Sequence, residues 1–366
     1  MDRNTLIKQA KDYIEKEKNA HFRTEIEKLL ATEDWDELLD RFYCKLEFGT
    51  GGLRGVMGGG YNRMNTFVVS SATQGLANYV IKAFPEKAGA LSAVIAFDSR
   101  HFSAEFAEAA ALILAANGIK TYLFSSMRPT PELSFAIRRL KADTGIVITA
   151  SHNPARYNGY KAYWNDGSQV IPPHDTGIID EVNAVTEIKE IGRQTALDKG
   201  LLKIIDKEID EPFEAMARSR LFRPELIKQN AAKVKIVYTP LHGTGALHVE
   251  GVLGGLGLKV LTVPEQREGN GDFPTVEFPN PEEAAALKMA LDLGKKENAS
   301  LIMATDPDAD RFGIAVPAKN GEDFILVTGN QLGALLADYI FLSLKELNRM
   351  PPKPAMVNTI VTTGMQ

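Results

Sequence analysis

Cysteine is almost absent from this 366-residue sequence, since Cys44 is the only one. A single cysteine excludes a disulfide within the chain and favours a reducing compartment. The six histidines are scattered, and the sequence contains neither an HExxH motif nor paired CxxC motifs. A zinc site built from histidine and cysteine therefore has no support.

Long apolar runs and an excess of positive charge are also missing. The longest apolar stretch, residues 109–116, is far shorter than the roughly 20 residues of a membrane-spanning helix. The N-terminus is charged from Asp2 onward, unlike a secretory signal peptide. The 42 Lys and Arg against 47 Asp and Glu give a net charge of −5, which argues against general nucleic-acid binding. We expect a soluble, cytoplasmic protein without membrane or nucleic-acid partners, and no feature specifies its oligomeric state.

The length and composition are typical of a globular protein with several domains. At about 150 residues per domain, the chain is long enough for two or three. Hydrophobic residues make up 44% and charged residues 24% of the sequence. Residues 4–30 carry apolar positions at helical spacing, and a short helix is predicted over 35–42. We interpret this segment as a helical extension packed on the first domain.

From Leu91 onward, apolar stretches of strand length alternate with helical patterns. Strands are predicted at 93–97, 119–124, 145–149, 233–238, 258–263, 301–305, 324–327 and 355–361. Helices are predicted at 103–117, 131–141, 245–253, 280–294 and 331–344. This order predicts an α/β fold of repeated βαβαβ units, with mostly parallel mixed sheets sandwiched by helices.

We place the domains at 1–205, 206–320 and 321–366, the last being an incomplete third α/β domain. Ligands in such sheets bind beyond the carboxyl ends of the strands. Ser151 follows the last strand of the first repeat, and Asp306 follows the last strand of the second. Both are therefore expected at a ligand-binding edge.

The first candidate motif is TASHNP, residues 149–154. Its Ser151 hydroxyl, beside the imidazole of His152 and backbone N–H groups, could act as a nucleophile or phosphate carrier. A tight turn at 158–159 returns a second strand and brings Lys161 near the loop, where it could bind phosphate or donate a proton. Taken alone, a simple turn at Asn-Pro explains this motif better.

The second candidate is DPDADR, residues 306–311. The carboxylates of Asp306, Asp308 and Asp310 would converge in a curved loop and repel one another unless a cation joins them. Oxygen ligands select Mg²⁺ first, then Ca²⁺ or Mn²⁺. An EF-hand is excluded because Arg311 and Pro317 occupy its glycine and glutamate positions. The alternative is a solvated acidic loop.

The third candidate is the glycine-rich segment 48–60, whose seven glycines would allow close approach to an anion, with Arg54 as its only cation. It matches neither GxGxxG nor the Walker motif, and a flexible surface loop is an equal alternative. The HGTG sequence at 242–245 is interpreted as a turn entering a helix rather than as a catalytic element.

In combination and in this order, GTGGLRG, TASHNPARYNGYK and DPDADR resemble the α-D-phosphohexomutase superfamily of phosphoglucomutases and phosphomannomutases, from about Leu46 to the end. The N-terminal helix and KLEFGTGGLRG are most similar to the longer phosphoglucomutase branch, which includes phosphopentomutase-type members. The resemblance implies a Mg²⁺-dependent mutase that interconverts hexose 1- and 6-phosphates, with glucose as the favoured sugar. It further implies a phosphoserine, a bisphosphorylated intermediate and glucose 1,6-bisphosphate as the priming donor.

The resemblance also assigns roles to individual residues. It implies that Ser151 is the phosphorylated serine and that an oxygen of its phosphate completes a Mg²⁺ site made by the three aspartates. Residues matching positions that contact the transferring phosphate or move a proton are Arg54, His152, Lys161 and Arg311. The choice between Lys161 and His152 as the proton-transfer group stays open. The alternatives are a phosphomannomutase or phosphopentomutase, a metal-dependent phosphatase, or a non-catalytic binding module.

Two motifs of that superfamily are not found in the sequence. They are a Glu-containing, sugar-selecting loop of the third domain and a Ser/Thr-Gly-rich loop of the fourth domain that anchors the distal phosphate. We therefore expect a fragment or truncated chain with weak or no turnover by itself, derived from an active parent enzyme. The segment from Glu322 onward is expected to expose strand edges prone to association.

Overall fold

The computed structural model describes residues 1–49, 52–319 and 323–358. The chain forms two compact units, the first made of residues 1–210 and 269–273 and the second of 211–268 and the chain from 274 onward. Within the described ranges, no helix is both long and apolar enough to cross a lipid bilayer.

The N-terminal layer of the first unit consists of three helices: α1 (Arg3–Lys16), α2 (Ala20–Ala31) and α3 (Trp35–Phe42). Tyr13 lies at their centre, with its ring edge-on to Phe42 at 5.8 Å between centroids. The single helix predicted over 4–30 is wrong, because the chain breaks at Glu17. The buried Glu17 carboxylate accepts from the backbone N–H of Asn19 at 2.8 Å, and the Asn19 side chain caps α2.

The first unit is built on a six-stranded mixed sheet in the order β1-β5-β4-β2-β3-β6. Its strands are β1 (Gly52–Val56), β2 (Ser92–Phe97), β3 (Lys120–Phe124), β4 (Thr144–Ile148), β5 (Tyr157–Trp164) and β6 (Leu202–Ile205). Its helices are α4 (Thr66–Ala83), α5 (Ser103–Ala116), α6 (Thr130–Leu140), α7 (His174–Asn183) and α8 (Arg193–Asp198). The strands β2, β3, β4 and β6 run parallel, whereas β5 is antiparallel to both β4 and β1. Both faces of the central strands are buried, as their continuous apolar sequences predict.

The second unit has a five-stranded sheet in the order β11-β10-β9-β7-β8. Its strands are β7 (Lys235–Thr239), β8 (Lys259–Thr262), β9 (Leu301–Thr305), β10 (Phe312–Pro317) and β11 (Phe324–Val327). Its helices are α10 (Pro224–Asn230), α11 (Ala246–Gly254), α12 (Pro264–Arg267), α13 (Ala284–Glu297) and α14 (Gly329–Glu346), while α9 (Lys207–Ser219) begins in the first unit. Val237, Ile302 and Ala315 form the centre of its core.

The predicted α/β class with mixed, mostly parallel sheets between helices is confirmed. The strand expected to open a third unit, 324–327, instead pairs antiparallel with β10 in the second sheet, and the Ala318 backbone N–H extends this pairing by donating to the Asp323 carbonyl oxygen at 2.8 Å. The strand predicted over 355–361 is absent at 355–358, and its other residues lie outside the described ranges. The helix expected from Asn280 begins at Ala284, after a turn. The strands β1, β6 and β10 were not predicted.

Candidate active site

The serine loop, residues 149–156, connects β4 to β5 in the first unit. Ser151 is only 2% exposed and adopts a left-handed backbone conformation with φ +52°. Such a conformation costs a non-glycine residue on the order of 1–3 kcal/mol and persists only where contacts hold it. The backbone N–H of Ser151 donates to Thr149 Oγ1 at 2.8 Å, and Ser151 Oγ lies 3.1 Å from His152 Nδ1. The predicted serine and histidine therefore meet directly.

Arg100 lies in the loop after β2, and its side chain holds the serine loop in place. Its side chain is fully buried, and its two terminal nitrogens donate to four backbone carbonyls of the loop and the start of β5. The acceptors are the carbonyl oxygens of Ser151 at 2.7 Å, Asn153, Pro154 at 2.8 Å and Tyr157 at 2.9 Å. A planar guanidinium is suited to this role because its donors diverge in a fixed fork.

Asp98 anchors Arg100 at the carboxyl end of β2. Its carboxylate lies 3.3 Å from Arg100 Nε and accepts from the Arg100 backbone N–H at 2.9 Å and from Ser103 Oγ at 2.8 Å. Burial raises the pKa of the Asp98 carboxyl above its ordinary value, and the charge of Arg100 opposes that shift. Asn158 extends the buried network by donating to Ser103 Oγ at 3.0 Å.

Arg54 and Lys161 lie on neighbouring antiparallel strands, β1 and β5. Arg54 is opposite Gly159 in the register, and Lys161 is two residues further along β5, so both side chains project from one face of the sheet. Arg54 Nη1 donates to Asn153 Oδ1 at 3.2 Å, which joins it to the serine loop. Gly159 permits this pairing, because a Cβ there would lie 2.5 Å from the Thr149 carbonyl oxygen.

The last glycines of the glycine-rich segment pack against the N-terminal helices. A Cβ on Gly59 would lie 2.5 Å from the Phe22 carbonyl oxygen of α2, and one on Gly60 would lie 2.7 Å from Arg41 Cβ of α3. The run 58–60 is therefore in close backbone contact with the N-terminal helices, and the expectation that the segment 48–60 approaches an anion stays a prediction. Residues 50 and 51 lie outside the described ranges.

The acidic loop, residues 306–311, connects β9 to β10 in the second unit. Asp306 and Asp308 are buried, Asp310 is exposed, and one carboxylate oxygen from each lies within 4.8 Å of the others. Asp306 Oδ1 also accepts from the Arg311 backbone N–H at 3.1 Å, while the Arg311 side chain extends into solvent with its Nε 3.8 Å from Asp310 Oδ1. Three converging carboxylate oxygens fit a hard divalent cation.

The HGTG turn supports the acidic loop from the neighbouring strand β7. Thr244 donates to the Pro307 carbonyl oxygen twice, from its backbone N–H at 2.8 Å and from Oγ1 at 3.0 Å. A Cβ on Gly243 would lie 2.3 Å from Pro307 Cα, so only glycine allows this approach. His242 is buried against Thr275, with 2.9 Å between Nε2 and Oγ1, and burial lowers the pKa of its imidazole.

The residues predicted from the sequence thus fall into one group in each unit. Sequence reasoning missed Asp98, Arg100 and the supporting role of Thr244. These residues follow the carboxyl ends of β2 and β7. Because ligands bind at the carboxyl ends of parallel strands, these residues could have been identified from the sequence.

Two family models match the chain. The model described as phosphoglucomutase/phosphomannomutase, alpha/beta/alpha domain I, matches residues 45–189, and the corresponding domain II model matches residues 213–320.

The curated relatives include enzymes named for pentose and for hexose phosphates. Phosphoribomutase of Saccharomyces cerevisiae is 37% identical over 373 residues, an alignment covering 96% of this chain and 59% of the relative. Phosphopentomutase of Homo sapiens is 36% identical, covering 94% and 57%. Glucose 1,6-bisphosphate synthase of Mus musculus is 36% identical, covering 89% and 53%. The chain therefore spans between about half and three-fifths of the length of these relatives.

Among solved structures, a phosphoglucomutase/phosphomannomutase family protein from Burkholderia thailandensis has a similar fold. The TM-score is 0.63 at 22% identity, and the match covers 82% of this chain and 59% of that one. At this identity the likeness concerns the fold alone.

Proposed function

The chain belongs to the phosphoglucomutase/phosphomannomutase family, and from this premise we propose that it carries the phosphotransfer machinery of a sugar-phosphate mutase acting on pentose 1- and 5-phosphates. The observation that carries the proposal is Ser151, a buried serine with a left-handed backbone at the carboxyl end of β4, one of the parallel strands of a mixed sheet. Family membership supports the mutase chemistry. The sugar is a separate question.

The proposed substrate is a pentose phosphate, in place of the glucose phosphate that the sequence alone favoured. The relatives named phosphoribomutase and phosphopentomutase support the pentose alternative at 37% and 36% identity. The relative named glucose 1,6-bisphosphate synthase keeps hexose phosphates as the second candidate.

The proposed reaction uses Ser151 as a temporary phosphate carrier. The free hydroxyl of the sugar phosphate attacks the phosphorus of phosphoserine 151, the bond from phosphorus to Oγ breaks, the proton of that hydroxyl ends on Oγ, and the sugar becomes a bisphosphate. After the sugar reorients, Oγ takes back the other phosphoryl group. His152 Nδ1, 3.1 Å from Ser151 Oγ, can hold or move a proton at that atom, and Lys161 is the alternative.

We assign the stabilisation of the phosphate charge to two arginines and to the acidic loop. Phosphoryl transfer depends mainly on positioning and on neutralising the phosphate oxygens. Arg54 is held at the serine loop through Asn153 and is proposed to bind phosphate, as is the exposed Arg311. Asp306, Asp308 and Asp310 are the proposed ligands of Mg²⁺, with an oxygen on Ser151 as a further one. When bound, Mg²⁺ would neutralise phosphate charge.

Three further expectations remain proposals. They are the domain division 1–205, 206–320 and 321–366, a cytoplasmic location, and priming by a sugar bisphosphate such as glucose 1,6-bisphosphate.

The experiment measures both steps on the purified full chain. The protein is incubated with Mg²⁺ and ribose 1,5-bisphosphate or glucose 1,6-bisphosphate, and the phosphorylated residue is located by peptide mass spectrometry. Conversion of ribose 1-phosphate and of glucose 1-phosphate is then followed by ³¹P NMR. Ser151→Ala is compared with Ser168→Ala, which alters an exposed serine of the same unit.

We expect one phosphoryl group on Ser151, weak turnover with a higher kcat/KM for ribose 1-phosphate than for glucose 1-phosphate, and loss of both signals only in Ser151→Ala. Mg²⁺ should also bind the phosphorylated protein more tightly than Ser151→Ala, as a shared ligand oxygen requires. Phosphate on another residue would contradict the mechanism, a preference for glucose 1-phosphate would overturn the substrate, and release of inorganic phosphate would indicate the phosphatase alternative.

A further inference from the structure

Residues 269–273 belong to the first unit although the chain on both sides belongs to the second. This segment, which we call the clasp, lies against the loop that carries Arg100. A Cβ on Gly271 would lie 2.6 Å from the His101 backbone nitrogen, and one on Gly269 would lie 3.0 Å from Ser99 Cβ. The two glycines therefore allow the clasp backbone to contact the Arg100 loop directly.

Phe273, the last residue of the clasp, covers the guanidinium of Arg100. Its ring centroid is 4.9 Å from Arg100 Cζ, and the residue is only 2% exposed. Attraction between a cation and an aromatic face is strongest where both groups are removed from water. Phe273 also has a left-handed backbone with φ +46°, a conformation that an aromatic residue rarely adopts unless packing holds it.

Three kinds of contact thus fix the orientation of one buried guanidinium. Asp98 anchors its Nε, the Phe273 ring covers its face, and its terminal nitrogens are used by the carbonyls of the serine loop. A guanidinium that tilts on losing the ring would lose the geometry of several of these hydrogen bonds together, because its donors are rigidly linked.

We propose that Arg100 and Phe273 are positioning residues for phosphoryl transfer at Ser151: the clasp fixes the guanidinium, and the guanidinium fixes the backbone that presents Oγ. This inference rests on the proposed function. In the buried Asp98–Arg100 ion pair, the guanidinium is the member that contacts the loop carrying Ser151, so it would help to stabilise a phosphoserine dianion there.

The test compares Phe273→Leu, Arg100→Lys and Asp272→Ala in the full chain. Phe273→Leu keeps an apolar side chain but removes the aromatic face, and Arg100→Lys keeps the charge but removes the fork. Asp272→Ala is the matched control within the clasp, because it removes only the exposed 2.7 Å contact with His101 Nε2. The readouts are hydrogen exchange of peptides covering 149–157 and the rate of phosphoryl transfer from ribose 1,5-bisphosphate or glucose 1,6-bisphosphate to Ser151.

Phe273→Leu should slow transfer about tenfold and speed exchange in the serine loop by a similar factor. Arg100→Lys should slow transfer about a hundredfold, since four carbonyls lose their shared donor. In both variants KM should stay near the wild-type value and exchange in α4 should not change, which separates a positioning role from general destabilisation. Asp272→Ala should match the wild type.

Two results would overturn the inference while leaving the proposed function intact: transfer at the wild-type rate in Phe273→Leu, or equal losses in Phe273→Leu and Asp272→Ala. If Arg100→Lys does not fold, the Phe273→Leu result decides. If the wild-type protein takes up no phosphoryl group on Ser151, the proposed function fails first and the inference fails with it.

Discussion

The serine loop and the acidic loop occupy equivalent places in their two sheets. In the first sheet the strand order β5-β4-β2-β3 matches β10-β9-β7-β8 of the second. Each loop leaves the third parallel strand of its unit and returns through an antiparallel strand. The two units thus use one topology to present opposite chemistry: a hydroxyl that would carry a phosphate, and carboxylates that would bind a cation.

The difference lies in what supports each loop. In both units the support comes from the loop after the first parallel strand, but Arg100 is a buried cation whereas Thr244 is a neutral donor. A buried guanidinium beneath the serine loop would stabilise a phosphate dianion. The same group beneath the acidic loop would pair with the aspartates and compete with the metal ion. The fold therefore sets the position of each loop, and the residue that supports the loop sets the local charge.

The largest effect is expected from removing a carboxylate of the acidic loop. Asp308→Asn should weaken Mg²⁺ or Mn²⁺ binding by about a hundredfold or more, because a buried charged ligand is lost. Titration calorimetry measures the affinity. Asp292→Asn is the control, since Asp292 is an exposed partner of Lys288 on α13. Equal affinities in the two variants would show that the acidic loop does not bind the cation.

The next test concerns the contact between the HGTG turn and Pro307 of the acidic loop. Gly243→Ala should lower the free energy of unfolding of the second unit by about 1–3 kcal/mol, because its Cβ would overlap Pro307. Urea denaturation measures this change, and metal affinity should fall with it. In Gly254→Ala the new Cβ would meet no atom within 4 Å, and this helical position should gain up to about 1 kcal/mol. Similar results for both variants would show that contact with Pro307 does not matter.

Local patterns in the sequence were enough to predict much of the fold and the placement of both loops. The apolar runs of β2, β4, β7 and β9 identify buried parallel strands without knowledge of their partners. The rule about carboxyl ends then places Ser151 and Asp306 at binding edges. Such inferences succeed because each depends on residues close together in the chain.

What was missed depends on distant partners. Arg100 contacts a loop more than 50 residues away, and a lone arginine after a strand looks like a surface residue until those carbonyls are known. The strand β1 has no alternating apolar pattern and forms by pairing with β5, about a hundred residues later. The packing of the glycines at 58–60 against α2 and α3 was also missed, because a glycine-rich motif does not show which helices lie next to it.

A smaller effect is expected when the hydrogen bonding of Thr244 to the acidic loop is weakened without adding bulk. Thr244→Val removes the Oγ1 donor to Pro307 and keeps the backbone N–H donor, so one of two hydrogen bonds is lost. We expect a loss of about 1 kcal/mol in the free energy of unfolding and a several-fold decrease in metal affinity. Thr244→Ser, which keeps the hydroxyl, should retain the wild-type affinity. A Thr244→Val protein with unchanged affinity would mean that the backbone donor is sufficient.

The smallest expected effect is a dependence of stability on pH. It arises because the loop after β7, which supports the acidic loop, contains the buried His242. Burial lowers the pKa of His242 below its ordinary value of 6.5. Below that pH the unfolded chain binds a proton that the folded chain does not, so the free energy of unfolding should fall as the pH drops from 6.5 toward the lower folded-state pKa. Each pH unit within this window is worth at most about 1.4 kcal/mol.

His242→Asn removes the titrating group, and asparagine tolerates the left-handed backbone at this position, where φ is +62°. Urea denaturation between about pH 7 and about pH 5.5 should therefore show a shallower loss of stability in the variant than in the wild type. Equal slopes would mean that the histidine accepts a proton as readily when folded as when unfolded. The loop after β7 would then not exclude water from His242. The contrast between a charged supporting loop, which carries Arg100, and a neutral one, which carries Thr244, would hold only at high pH.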